Sequence, residues 1–97
     1  NTTYHVEDEI IKNFLIWMRE CYIPEVEENG ILKMPRLCRI LSHQEENGSS
    51  YSLQWEVESS ALLHRWHTEQ GMKLNEELIK VFSNKVVGFP TLMEVML

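Results

Sequence analysis

From Ser50 to Val57 the chain alternates without interruption. Tyr51, Leu53, Trp55 and Val57 are apolar, and Ser50, Ser52, Gln54 and Glu56 are polar. A period of two sends successive side chains to opposite faces of a pleated strand. The segment is thus a strand with one dry face and one wet face. Antiparallel sheets accommodate that arrangement, because only one of their faces must be covered.

The flanking sequence supplies the other strands. Ile31 to His43 reads as a strand in which Pro35, lacking an amide hydrogen, calls for an edge position or a bulge. Glu45-Glu46-Asn47-Gly48-Ser49 is a polar hairpin loop joining it to the alternating strand. Asn1 to Val6 carries the β-formers Thr2, Thr3, Tyr4 and Val6. Lys85 to about Leu97 reads as the last strand, with Val86, Val87 and Phe89 at its start.

Two stretches switch to helical spacing. From about Asp8 to Tyr22, residues Ile10, Ile11, Phe14, Leu15, Trp17, Met18, Cys21 and Tyr22 cover one broad arc. Lys12, Asn13, Arg19 and Glu20 lie opposite, and the acidic Glu7, Asp8 and Glu9 favour the positive end of the helix dipole. Ile16 and Ile23, seven apart among the polar residues, stack as a candidate partner contact. Pro24 is expected to end this helix and open a separate short turn, Pro24 to Glu28, closed by Asn29-Gly30. Ser59 or Ser60 caps the second helix. Its buried stripe is Leu63, Trp66, Leu74, Leu78 and Val81, and Gly71 is placed to bend or interrupt it.

The order β-α-β-β-α-β places both helices on one face of the sheet, since each strand–helix–strand crossover is right-handed. The expected architecture is a single α+β domain over 1–97: a ferredoxin-like, four-stranded antiparallel sheet with two helices on one face. Its other face is left bare. Met93, Val95 and Leu97 share one strand parity, and Leu92 and Met96 the other, so both sides of the last strand are apolar. A second copy would cover the bare face and this tail by a two-fold contact, which makes a homodimer the expected assembly. The alternative is a tail that folds back on its own domain or is simply frayed.

Charge and cysteine usage exclude several classes. The 97 residues sum to −6, which opposes phosphate backbones and anionic bilayers, so neither nucleic acid nor membrane is an expected partner. No run of 18 apolar residues exists to span a bilayer. The chain opens on Asn1 with no basic-then-apolar leader, so no signal peptide is expected in it. Cys21 and Cys38 lack CxxC spacing and are expected to be free thiols of a cytoplasmic protein, the alternative being one disulfide between the first helix and the next strand. Tyr51 and Trp55 fall on the helix-covered face, unlike the exposed aromatics of RNA-recognition domains. Val6-Glu7-Asp8-Glu9 is acidic where an acylphosphatase needs a glycine-rich phosphate loop.

Candidate chemistry is sparse. His64 and His67 have a spacing that zinc can use, but no third ligand is evident; His67 leans to the buried stripe and His64 to its edge, as partly buried, hydrogen-bonded residues. Trp17, Trp55 and Trp66 read as core. His5, Gln54 and Glu56 form a candidate polar patch on the bare face. Arg36 and Arg39 lie on opposite faces of their strand, and whichever shares that face, Arg39 in the ligand-binding set proposed here, can bind a carboxylate or phosphate or pair with Glu56. No catalytic residue, metal ligand or cofactor is assigned, and the small-molecule ligand stays unspecified.

Four segments in fixed order carry a resemblance: Phe14-Leu15-Ile16-Trp17-Met18, Tyr22-Ile23-Pro24-Glu25-Val26, Arg36-Leu37-Cys38-Arg39-Ile40-Leu41, and Lys85-Val86-Val87-Gly88-Phe89-Pro90-Thr91-Leu92. Over nearly its whole length the chain resembles a bacterial domain-of-unknown-function family, the 4286 family. The resemblance implies a ferredoxin-like fold similar to the dimeric α+β barrels of small monooxygenases and stress proteins, and implies no known activity. In the family pattern a histidine is common at the position of Tyr22 and another at that of Gln70. This chain departs at both, which puts histidine-based chemistry in doubt. Two functions from different classes follow: a non-catalytic homodimeric binding or interaction module, or a small cofactor-independent oxygenase or isomerase of the α+β barrel kind.

Overall fold

The protein is described by a computed structural model covering residues 1–42 and 47–97. The strands are β1 (Thr2–Glu7), β2 (Lys33–Arg39), β3 (Gly48–Glu56) and β4 (Val86–Pro90). They form one antiparallel sheet in the order β2-β3-β1-β4. Between β1 and β2 run α1 (Ile11–Trp17) and α2 (Ile23–Asn29); between β3 and β4 run α3 (Ser60–Trp66) and α4 (Met72–Phe82). This is the α+β, ferredoxin-like arrangement of four antiparallel strands with two helical rods.

The rods are longer than expected, for one shared reason. α1 passes into α2 through a π-helical turn, Met18–Tyr22, and α3 passes into α4 through another, His67–Gly71. The buried residues of the first rod are Phe14, Met18, Tyr22 and Val26, a strict four-residue spacing. At 3.6 residues per turn such a stripe drifts by about 40° at each step and would leave the core. A π turn holds one extra residue and takes back about 100° of that drift, which returns Val26 to line with Phe14. It also absorbs Pro24: the Ile23 amide donates to the Met18 carbonyl, and the following proline has no amide to place. The expected break at Pro24 is therefore absent, and helix continues to Asn29. There Gly30 adopts φ 84°, and the Asn29 Oδ1 accepts from the Ile31 amide at 3.2 Å.

The same correction explains two other differences. The π turn swings Ile23 away from Ile16, so Ile23 packs partly buried against the core while Ile16 stays exposed, and the two do not stack. Cys21, placed by the sequence on the apolar arc, is exposed. In the second rod the stripe is Trp66, Leu74, Leu78 and Phe82; Val81, expected to be buried, is 55% exposed. Ser59 is the cap, its hydroxyl accepting from the Leu62 amide at 3.2 Å.

Burial in β1 alternates: Tyr4 and Val6 are buried and their neighbours are not. Opposite them lie Tyr51 and Val86, which join the helix side chains in one core with Leu53. Both rods thus cover a single face. β2 is an edge strand whose register slips between Lys33 and Arg36, around Pro35, with Met34 at φ 56°. Of the expected hairpin loop, Glu45 and Glu46 lie outside the described residues, as does His43. β4 ends at Pro90, seven residues short of the expected strand end, and residues 91–97 take no regular structure.

Candidate functional site

The uncovered face of the sheet is set by parity. Thr3 and His5 in β1, Ser50, Ser52, Gln54 and Glu56 in β3, Arg36 and Cys38 in β2, and Val87 and Phe89 in β4 all alternate with core residues. Its centre is polar and tied to the N-terminal segment. The Ser52 hydroxyl donates to the Asn1 Oδ1 at 2.5 Å, the Asn1 amide nitrogen donates to the Thr3 hydroxyl at 3.3 Å, and the Gln54 amide donates to Ser52 at 3.5 Å. The β4 side is apolar: Val87 is 42% and Phe89 60% exposed.

The four sequence-derived ligand candidates do not converge. His5 faces Ser50 and Val87 across the ladders. Gln54 lies four residues further along β3, about 13 Å away at the strand rise, and Glu56 further still. Glu56 is paired in register with Lys33. Arg36, not Arg39, stands opposite Gln54; Arg39 is opposite Tyr51, whose ring points to the helices. The slip at Pro35 separates the start of β2 from the rest of its ladder, which sequence spacing alone could not show. His64 and His67, expected to be partly buried, are both exposed. Among the described residues no group of three or more metal-ligating side chains comes together.

The space between sheet and helices is filled with rings. Phe14 stands 5.5 Å from Tyr4, 5.8 Å from Tyr51 and 6.1 Å from Phe82, centroid to centroid. Trp17 meets Tyr22 at 5.5 Å and Phe82 at 5.8 Å. The Tyr4 and Tyr22 hydroxyls hydrogen-bond each other inside this cluster, and burial pushes both phenols above their ordinary range. The sequence placed Tyr22 on the apolar arc without indicating this partner. A second polar link joins the rods: the Trp66 indole donates to the Gln70 Oε1 at 2.7 Å, and the Gln70 Nε2 donates to the Glu25 carbonyl at 3.1 Å. Beside it a shallow cleft of about 190 Å³ is lined by Glu25, Asn29, Glu69, Lys73 and Glu77.

A run of exposed apolar residues lies at the C-terminal end of the described chain. Leu92, Met93, Val95, Met96 and Leu97 are each at least 58% exposed, and follow Phe89 after Pro90 and Thr91. Isolated apolar residues at a surface are ordinary; a run of this length is not.

Residues 1–96 match the model of a family described as a domain of unknown function, DUF4286, and the chain belongs to that family. No curated protein and no solved structure matches it.

Proposed function

We propose that the protein is a homodimeric binding or interaction module of a bacterial cytoplasm, with no catalysis of its own. The observation that carries this reading is a run of exposed apolar side chains: Val87 and Phe89 on the face that the helices do not cover, then Leu92, Met93, Val95, Met96 and Leu97. The ring-filled interior supports it too, because a small-molecule enzyme of this architecture works in a hollow between sheet and helices. Net charge of −6 directs the module toward protein surfaces rather than phosphate. No helix among the described residues is long and apolar enough to cross a membrane.

The rival, a cofactor-independent oxygenase or isomerase, draws on one observation: the buried Tyr4–Tyr22 pair, two phenols kept protonated in an apolar setting where one could donate to a bound substrate. The two readings separate in a thermal-shift screen against metals, nucleotides, haem and flavins, combined with light scattering. The module gives a dimer mass and no small-molecule shift. A monomer mass at every concentration overturns it, and a shift abolished by Tyr22→Phe favours the enzyme.

A further inference from the structure

We propose that residues 92–97 pair, as an added strand, with the open edge of β4 in a second copy of the chain, about a two-fold axis through Thr91. The proposal rests on the homodimer reading above and specifies how the two copies meet.

The hydrogen bonds of β4 assign its free side. The Thr91 amide donates to the Asn1 carbonyl at 2.6 Å, and the Asn1 nitrogen donates to the Thr91 carbonyl at 3.1 Å. In an antiparallel ladder such mutual pairs recur every second residue. Thr91, Phe89 and Val87 therefore turn their backbone groups toward β1. Val86, Gly88 and Pro90 turn theirs outward, where the sheet order places no further strand. Pro90 removes one donor from that edge, but the amides of Val86 and Gly88 and three carbonyls remain. An edge of this kind is a template for another strand.

The chain beyond Pro90 has the composition to be that strand. Leu92, Met93, Val95, Met96 and Leu97 are interrupted only by Glu94. The β1–β4 ladder reaches the Asn1–Thr91 pair, and among the described residues no strand lies beside residues 92–97.

A two-fold axis through Thr91 sets one register, and the side chains fit it. Val87 falls opposite Val95 of the partner subunit, and Phe89 opposite Met93 of the partner subunit, both on the uncovered face. Val86 falls opposite Met96 of the partner subunit on the helix side. There an open groove of about 620 Å³, lined by Ile79, Ser83, Asn84 and Val86, flanks β4. The tail's one charged residue, Glu94, comes opposite Gly88, which has no side chain to bury it. Each apolar cross-strand pair thus meets its like.

Size and charge agree. Burying a Val, Leu, Met or Phe side chain removes very roughly 60–120 Å² from water. The seven exposed apolar residues from Val87 to Leu97 on each copy then offer very roughly 400–800 Å², and the upper end of that range meets the ~800 Å² per partner of a standard stable interface. The chains carry −6 each and repel at long range, but from Val86 to Leu97 each contributes only Glu94 to the contact.

The test places Thr91→Cys in a Cys21→Ser, Cys38→Ser background, so that the only thiols flank the axis. Opposed residues that exchange no hydrogen bonds have Cα atoms about 4.5 Å apart, within disulfide reach. Mild oxidation is expected to convert most of this variant to a covalent dimer on a non-reducing gel, while Ser52→Cys in the same background stays monomeric on that gel. As a measurement on the unmodified chain, the Gly88 amide is expected to exchange at least tenfold more slowly at high protein concentration than at low. A dimer by light scattering with no crosslink at position 91 and a fast Gly88 amide overturns the strand exchange and leaves the homodimer standing. A monomer by light scattering overturns both.

Discussion

Trp66 and Gln70 close a π-helical turn between them: the indole of the first donates to the amide oxygen of the second at 2.7 Å. The other end of Gln70 reaches the Glu25 carbonyl on the neighbouring rod at 3.1 Å. One side chain thus satisfies a buried donor and fixes the distance between two rods. Removing it with Gln70→Ala leaves the Trp66 N–H in a site that is 8% exposed, at a cost of about 1–3 kcal/mol. Gln70→Glu retains an acceptor for the indole but has no donor for Glu25, and sets a carboxylate beside its carbonyl. Urea unfolding is expected to place both below the wild type, with unchanged slope. A Gln70→Ala midpoint equal to wild type would show that water replaces the link.

Gly71 ends that same turn. A Cβ built there stands 2.7 Å from Cζ3 of Trp66 and 3.1 Å from Nδ1 of His67, too close to Trp66 for an alanine without movement. Alanine in a helix gains up to about 1 kcal/mol over glycine. Displacing a buried indole costs about 1–3 kcal/mol. The second effect is the larger, so Gly71→Ala is expected to destabilise by about 1–2 kcal/mol and shift the Trp fluorescence maximum. A stabilised variant would mean that the indole swings aside freely.

Much of this fold was legible in the residues. The alternation through Tyr51, Leu53 and Trp55 gave the central strand and its buried face. Ser59 or Ser60 marked a helix start, Asn29-Gly30 the close of what read as a short turn and is the end of the first rod, and Pro35 an edge position or a bulge. The π turns were missed because a periodicity search assumes a constant twist. Their trace was present in the four-residue spacing of Phe14, Met18, Tyr22 and Val26, too wide for an α-helix to keep on one face. Phe82 rather than Val81 closes the second stripe for the same reason. The candidate ligand residues were harder still. His5, Gln54 and Glu56 share a face, as their parity indicated, but how far apart they lie depends on register, which only the ladders define.

The buried phenols predict an alkaline limit. Tyr4 and Tyr22 hold their protons more tightly folded than unfolded. The stability this contributes is fully present below the unfolded tyrosine pKa of about 10 and is lost as pH rises above it. The loss is about 1.4 kcal/mol per pH unit for each phenol that must stay neutral. Chemical unfolding between pH 9 and 12 is expected to show a fall that is shallower in Tyr4→Phe. Equal slopes in the two proteins would place the Tyr4 hydroxyl in water.

A dimer couples folding to association, so its melting temperature rises with protein concentration. A tenfold dilution is expected to lower the wild-type Tm by a few degrees. Met93→Lys combined with Val95→Lys, which charges the exposed tail, is expected to remove this dependence while leaving the far-ultraviolet circular dichroism unchanged. A wild-type Tm that is flat across a hundredfold range would mean that these side chains have no partner.

The apolar side of the sheet along β4 is the proposed contact between copies, and Phe89, 60% exposed in the single chain, lies within it. Sedimentation velocity of the wild type beside Phe89→Lys tests this most directly. The wild type is expected to sediment at twice the mass of an 11.5 kDa chain, and Phe89→Lys at the mass of one. A wild type that sediments as a single chain, or a Phe89→Lys variant that remains paired, would contradict it.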